Sequence, residues 1–501
     1  MISKKYIILS IFLLSLLTLS VVSAADNATN DVISLEESKD IISIEKTQTI
    51  GQSEESKLMG PDNGTFTDLQ RKIDNANASS TILLENNYKY NDGFDKNGIK
   101  ITKNLTIDGG GNQIDGDKEG RIFNVLNDSF VIFKNINFVN GKTDGEGGAI
   151  WNNGAKSITA INCTFNNNHV ESHGGAIYGG DAVNCTFTDN KAEDDGGAIF
   201  KGGAINCTFI GNKADDHGGA IHHGDEKFTA VNCTFTGNSA DGGGATYSLD
   251  VFNCIFTNNT STDDGGAVYD ANAENCTFTG NHAKSSGGAI YMGSASNSSF
   301  TDNRAGDDGG AIFKGGAINC TFTNNTAKDH GGAIHHGDEK FTAINCTFTG
   351  NSAVDGGATY SLDVFNCIFT KNHADDCGGA VFDSDSTNCT FIGNTAKRHA
   401  GAIYGGSEGY NTYNCTFIGN SATYDGGGIW YVAAYWSTFI NNTASDGGAM
   451  MGGSAHNCIF SGNTAENDAG AIYYGNAYNC TFTGNTAKTN GGAICKGGAS
   501  D

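Results

Sequence analysis

Gly309-Gly310-Ala311-Ile312-Phe313-Lys314-Gly315-Gly316-Ala317-Ile318-Asn319-Cys320-Thr321-Phe322-Thr323-Asn324-Asn325 is one turn of a repeat, and its reading decides the fold. A Gly-Gly-Ala-Ile half and an Asn-Cys-Thr-Phe half alternate from about residue 147 to the last residue. Phenylalanine marks the period, at Phe165, Phe187, Phe209, Phe235 and onward to Phe482. The interval is nearly constant, lengthened only before Phe235, Phe348 and Phe417, where a short insertion enters the unit. A fixed period of this length specifies a solenoid, in which each unit buries its apolar face only against its neighbours.

Within the unit, side chains alternate between two faces as along any strand. Ile318, Cys320 and Phe322 are expected to share the inward side, with Asn319 and Thr321 outside. Ala311 and Ile312 begin a second short strand, and Gly309-Gly310 lets the backbone turn without a Cβ penalty. Each coil is therefore expected to hold two or three short strands, paired in parallel with the coils above and below at a rise of ~4.8 Å. Stacking places like on like, so ladders are expected through Phe187, Phe209 and Phe322, through Cys185, Cys207 and Cys320, and through Asn190 and Asn212. The fold class that follows is an all-β parallel helix of about 15–16 coils with an N-terminal cap, forming a monomeric rod on the order of 75 Å long.

Composition agrees. Glycine is 71 of 501 residues and proline is 1, which suits many tight turns and excludes a collagen or a proline-rich stalk. The formal net charge of −25 disfavours nucleic acid and anionic membrane surfaces, both of which need clustered positive charge.

Ahead of the repeats, residues 1–25 read as an export signal: Lys4 and Lys5, an apolar run from Ile7 to Val22, then Ser23-Ala24-Ala25. The expected location is extracellular or on the cell surface, and the mature chain is expected to have no membrane span. Residues 26–60 are polar and acidic and read as a disordered linker. Residues 61–145 read as a cap and irregular first coils, with Phe66, Leu69, Gln70 and Ile73 at helical spacing. Residues 146–501 are the regular helix. The Asp108-to-Asn112 glycine cluster is a turn, since it lacks the Lys-Ser/Thr ending of a phosphate loop.

Gly174-Gly175-Ala176-Ile177 followed by Phe187-Thr188-Asp189-Asn190 resembles the paired signature of the chlamydial polymorphic outer-membrane protein repeat, and it recurs at almost every period to Asn485. With its leader and capping region, the chain is still more similar to the adhesin-like proteins of methanogenic archaea. The resemblance runs from the capping region at Pro61 through the last repeat. It implies a right-handed parallel β-helix of the pectin lyase-like kind and a cell-surface, adhesive role, with the cell envelope or outer membrane as the location in relatives.

Thirteen of the 15 cysteines occupy the Asn-Cys slot, with Cys377 and Cys495 elsewhere. Parallel neighbours keep their Cβ atoms ~4.8 Å apart, beyond the ~3.8 Å typical of a disulfide. Buried free thiols are expected. His217, His222 and His223 recur as His330, His335 and His336, because Thr188–Phe278 and Thr301–Phe391 are copies of one block of five coils. A metal site is the sharper reading of these histidines; solvent-facing histidines copied with their block are the expected one. Acidic pairs such as Asp194-Asp195, Asp215-Asp216, Asp263-Asp264, Asp307-Asp308 and Asp375-Asp376 are read as turn formers, with calcium between coils as the alternative. No cofactor is otherwise expected.

Three insertions fall at one corner, at 224–228, 337–341 and 405–410, and solenoid insertions are frequent binding surfaces. Near the last lie Tyr410, Tyr413, Trp430, Tyr431, Tyr435 and Trp436, the candidate glycan-binding set. Asn162, Asn184 and Asn206 head outward Asn-Cys-Thr sequons, so the chain is a candidate glycoprotein. The expected function is adhesion or display, with glycans or surface proteins of other cells as partners and no catalysis of its own. The alternative is a polysaccharide lyase or hydrolase of the same fold. Against it stand the missing Arg-x-Pro-x-x-Arg, Asn-Thr-Asp and Gly-His-Gly motifs, and the repetition of the acidic pairs, since a catalytic centre is expected once.

Overall fold

The computed structural model describes residues 63–224, 228–337, 341–406 and 409–500. The leader and the linker expected over residues 1–60 lie outside these residues, as do the tips of the three insertions. Helix α1 spans Phe66–Asn75. It starts where it does because the Thr65 hydroxyl accepts from the Asp68 N–H at 3.2 Å while the Asp68 carboxylate accepts from the Thr65 N–H at 3.0 Å, a capping box. Phe66, Leu69 and Ile73 are buried. Gln70 does something else: its amide oxygen accepts from Lys100 N–H at 2.7 Å and its amide nitrogen donates to the Lys100 carbonyl at 3.0 Å. A side chain thus completes the edge of strand Ile99–Ile101 in place of another strand.

Each regular coil has four short strands, more than the two or three expected. In the coil quoted above they are Ile312–Phe313, Ala317–Ile318, Thr321–Thr323 and Thr326–Ala327. Each pairs in parallel with its counterparts in the adjacent coils. Four sheets result, here called the Ile, Ala, Phe and Thr sheets, with 18, 19, 19 and 16 strands among the described residues. The expectation of 15–16 coils is corrected upward. The irregular first coils pair in the same ladder, Tyr88 against Ile114, Ile114 against Phe138 and Phe138 against Phe165, although they lack the Gly-Gly-Ala-Ile signature.

The signature residues earn their positions at the corners. Gly309, Lys314, Asn319 and Asn324 all lie in the left-handed region, with φ of 63°, 55°, 55° and 54°. Glycine and, among L residues, asparagine and aspartate visit it most readily, which accounts for Gly309, Asn319 and Asn324; the corner at Lys314 is held by lysine, serine, methionine or tyrosine in different coils. The corner at Asn319 also corrects the face assignment. Ile318 is 47% exposed, because the left-handed residue between it and Cys320 reverses the alternation. Ala317 takes the inward place, with Ala311, Ile312, Cys320, Phe322, Asn325 and Ala327.

The core is built as columns. Sixteen phenylalanines from Phe138 to Phe482 stack with centroids 4.6–5.0 Å apart and planes within 7°. Beside them runs an asparagine column in which every polar atom is used. Asn190 Nδ2 donates to Asn212 Oδ1 at 2.9 Å and to the Phe165 carbonyl at 3.0 Å, and its own Oδ1 accepts from the Asn168 amide groups. In the thiol column, the Cys185 N–H donates to Cys207 Sγ at 3.4 Å, and Cys185 Sγ to the Val183 carbonyl at 3.3 Å. All 15 cysteines are free and 13 are buried.

Candidate functional face

The outer surface of the Ile sheet carries two columns that the repeat places side by side. The first is the residue directly after Gly-Gly-Ala-Ile and its variants. From Tyr178 through Phe200, His222, Tyr247, Tyr269, Tyr291, Phe313, His335, Tyr360, Phe382 and Tyr404 to Trp430, twelve rings stack without a break, with centroids 4.4–5.3 Å apart. Inside such a stack each ring covers the faces of its neighbours, so edges and hydroxyls are what it offers outward. Burial pushes the Tyr269 and Tyr404 phenols up to about 12, which keeps them protonated and able to donate.

The second column is the residue before Gly-Gly. Backbone hydrogen bonds between coils put Asp195, His217, Asp264, Asp308, His330, Asp355, Cys377 and His399 on one line. Here the carboxylates do structural work: Asp264, Asp308 and Asp355 each accept from the backbone N–H one coil on, at 2.9, 3.0 and 3.0 Å.

At two places the columns combine. His217 Nδ1 lies 3.0 Å from Asp195 Oδ1, and His173 Nε2 lies 3.4 Å from the other oxygen. Burial works to raise the Asp195 carboxyl, but hydrogen bonds from His173 and His217 outweigh it and hold it well below the usual range. The same bonds raise both histidines. His222, stacked between Phe200 and Tyr247, goes the other way: burial lowers it to about 4, so it is neutral. Donor atoms of Asp195, His217 and His222 all lie within 4.8 Å of one another. The copied block repeats the cluster as Asp308, His330 and His335, with His330 Nδ1 at 2.8 Å from Asp308 Oδ1. The expectation of merely solvent-facing histidines is corrected for His217, His222, His330 and His335, which are half-buried and packed against rings and carboxylates. His223 and His336 stand outside the clusters.

A third grouping joins Asp355, Asp376 and Cys377, again within 4.8 Å. Burial raises Asp355, while Arg398 pairs with Asp376 at 3.1 Å.

The aromatic set picked out near the third insertion divides between faces. Trp430 ends the stacked column, 4.4 Å from Tyr404, and Tyr431 turns the next corner, 47% exposed. Tyr413 and Tyr435 lie on the outer Ala sheet, stacked at 5.0 Å and continued by His456 and Tyr478. Trp436, 60% exposed, occupies a corner where other coils place asparagine. Tyr410 joins the Ala sheet through its carbonyl, which accepts from Ala433 N–H at 3.0 Å. The long column was missed in the sequence, although an aromatic or His at a constant offset from Gly-Gly-Ala-Ile is visible there.

Comparison with known proteins gives a family. The model for a right-handed beta helix region matches residues 148–305, 218–363, 284–421 and 359–501. No curated protein matches by sequence. Among solved structures, a PL6 alginate lyase in complex with a trisaccharide is 12% identical, over 76% of this chain and 82% of its own, with a TM-score of 0.28. The PL6 family alginate lyase AlyGC is 9% identical over 87% and 99%, TM-score 0.29. The catalytic unit of a GH87 α-1,3-glucanase from Streptomyces thermodiastaticus is 13% identical over 88% and 69%, TM-score 0.20. The expectation of no catalysis is corrected to an open one: the similar structures named here are two lyases and a glucanase, and the fold itself does not set a binder apart from an enzyme.

Proposed function

The chain belongs to the right-handed β-helix family, and on that premise we propose that it is an exported, carbohydrate-directed protein that lays a linear polysaccharide along the outer Ile sheet. One observation carries the reading. The unbroken column from Tyr178 to Trp430, roughly 50 Å long at the coil rise, has a line of carboxylates and imidazoles directly beside it. Ring edges and phenols meet the C–H and hydroxyl groups of successive sugars, and the acid and His line supplies further hydrogen bonds. Net charge −25 favours a neutral polymer over a polyanion. Resemblance to adhesin-like proteins supports display at the cell surface, where such a strip holds glycans of other cells.

Chain cleavage is the second reading, and Asp355 favours it. Two carboxyl groups close together in unlike surroundings, one raised by burial and the other paired with a cation, suit acid–base cleavage of a glycosidic bond. Asp355 beside Asp376 and Arg398 has that arrangement.

The test uses the purified chain with neutral glucans and mannans and with uronate polymers, read for retention and for new chain ends. Retention of a neutral polymer that is lost in Tyr247→Ser/Tyr269→Ser/Tyr291→Ser is the expected result. No retention of any polymer, or retention indifferent to that triple variant, overturns it. New chain ends that vanish in Asp355→Asn establish cleavage.

A further inference from the structure

We infer that the chain binds two transition-metal ions, one at Asp195, His217 and His222 and one at Asp308, His330 and His335. Two imidazoles and a carboxylate suit zinc and its near neighbours. This stands apart from the glycan reading and does not depend on it.

Three observations converge. The donor atoms of each trio already lie within 4.8 Å of one another. Ligand atoms on a tetrahedral zinc, at 2.0–2.1 Å from the metal, sit roughly 3.3 Å apart, so side-chain rotations of about an ångström close the site. Next, Nδ1 of His217 and of His330 already faces an oxygen of its own trio's carboxylate, at 3.0 and 2.8 Å, close to the separation of two ligand atoms on one ion. Finally, the rings of His222 and His335 are held in fixed planes by stacking, with centroids 6.1 and 5.9 Å from those of His217 and His330. Coordination by His222 replaces the hydrogen bond its Nδ1 accepts from Gly224 N–H at 2.8 Å, and His335 gives up its counterpart from Gly337 at 2.9 Å.

The same face holds its own control. His399 pairs with Asp425 at 3.1 Å, but the ring five residues on, where His222 and His335 stand in their coils, is Tyr404. The expected count is therefore two ions, not three, set about 24 Å apart by the five coils of the copied block.

The experiment is a calorimetric titration of the metal-free chain with zinc chloride, repeated with cobalt(II) to read its visible absorption. Cys377→Ser is carried throughout, because Asp355, Asp376 and Cys377 also lie together. Two zinc equivalents are expected, one in His222→Phe and none in His222→Phe/His335→Phe. Phenylalanine already stands in that column at Phe200 and Phe313, so the variants keep the fold. His217→Ala/His330→Ala, which leaves the column intact, must also abolish binding. A parent chain that binds no zinc overturns the inference, as does either double variant that binds as much as the parent.

Discussion

Asn325→Ala tests the interior most directly. The Asn325 side chain is fully buried and makes four hydrogen bonds. Its Oδ1 accepts from the backbone and the side-chain amide of Asn303, both at 3.0 Å; its Nδ2 donates to the Phe300 carbonyl and to Asn351 Oδ1, both at 3.0 Å. Alanine strips a partner from the Asn303 N–H, the Asn303 amide and the Phe300 carbonyl, whereas Asn351 Oδ1 still receives the backbone N–H of residue 325 at 2.9 Å. An orphaned buried group costs about 1–3 kcal/mol, so three of them cost about 3–6 kcal/mol after partial relaxation. Thr321→Ala, on the exposed side of the same coil, should stay within about 0.5 kcal/mol. A solenoid is not held to one all-or-none transition. Urea unfolding is therefore to be paired with hydrogen exchange, which should show the loss concentrated in the coils around residues 300–351. Equal urea midpoints for the two variants would refute the assignment of the asparagine column as a fully bonded core.

His222 is lowered by burial to about 4, so its contribution is fully present above its unfolded value of 6.5 and is lost as pH falls toward 4. His217 and His330, raised by Asp195 and Asp308, contribute below 6.5 and lose that as pH rises through their folded values. His222→Phe should thus gain on the parent between pH 7.5 and pH 5, by about 1 kcal/mol once screening is allowed for; a gap between the two melting curves that does not change with pH would count against it. Gly310→Ala should fail to form the native coil, since a Cβ there would run into the Gly332 carbonyl, and circular dichroism of a native-like, cooperatively melting variant would contradict this. Alkylation of the native chain should reach only Cys480 and Cys495, and unfolding without reductant should release all 15 thiols; a need for reductant would show disulfides instead.

Period and composition made the columns legible, because identical residues at a fixed offset must stack in any parallel solenoid. Phe322, Cys320 and the free thiols followed from that alone. Ile318 did not, since strict alternation assumes an extended chain, and the left-handed corner at Asn319 lies inside the very motif being read. The face was harder to see for a related reason. His217 and Asp195 are separated by a whole coil of sequence and become neighbours only when coil is aligned on coil. Reading His217, His222 and His223 as one local cluster grouped the wrong three: His223 follows His222 in sequence, but the cluster takes its third member from the coil before.

Repetition argues against chemistry if a working centre must occur once, and in a solenoid that reasoning does not hold. A site whose ligands lie on adjacent coils is copied intact whenever both coils are copied, because every contact it needs is with the next rung. The block duplication carried Asp195, His217, His222 and Tyr247 together into Asp308, His330, His335 and Tyr360, with the Asp–His distance preserved at 3.0 and 2.8 Å. What separates structural from chemical repeats is then the company each residue keeps. The carboxylates of Asp264 and Asp355 each hold the backbone of the next coil. Asp195 and Asp308 do that and also face an imidazole nitrogen of the next coil. Lengthening such a rod by whole blocks multiplies its sites at a fixed spacing, which is how a repeat protein gains avidity for a repetitive ligand.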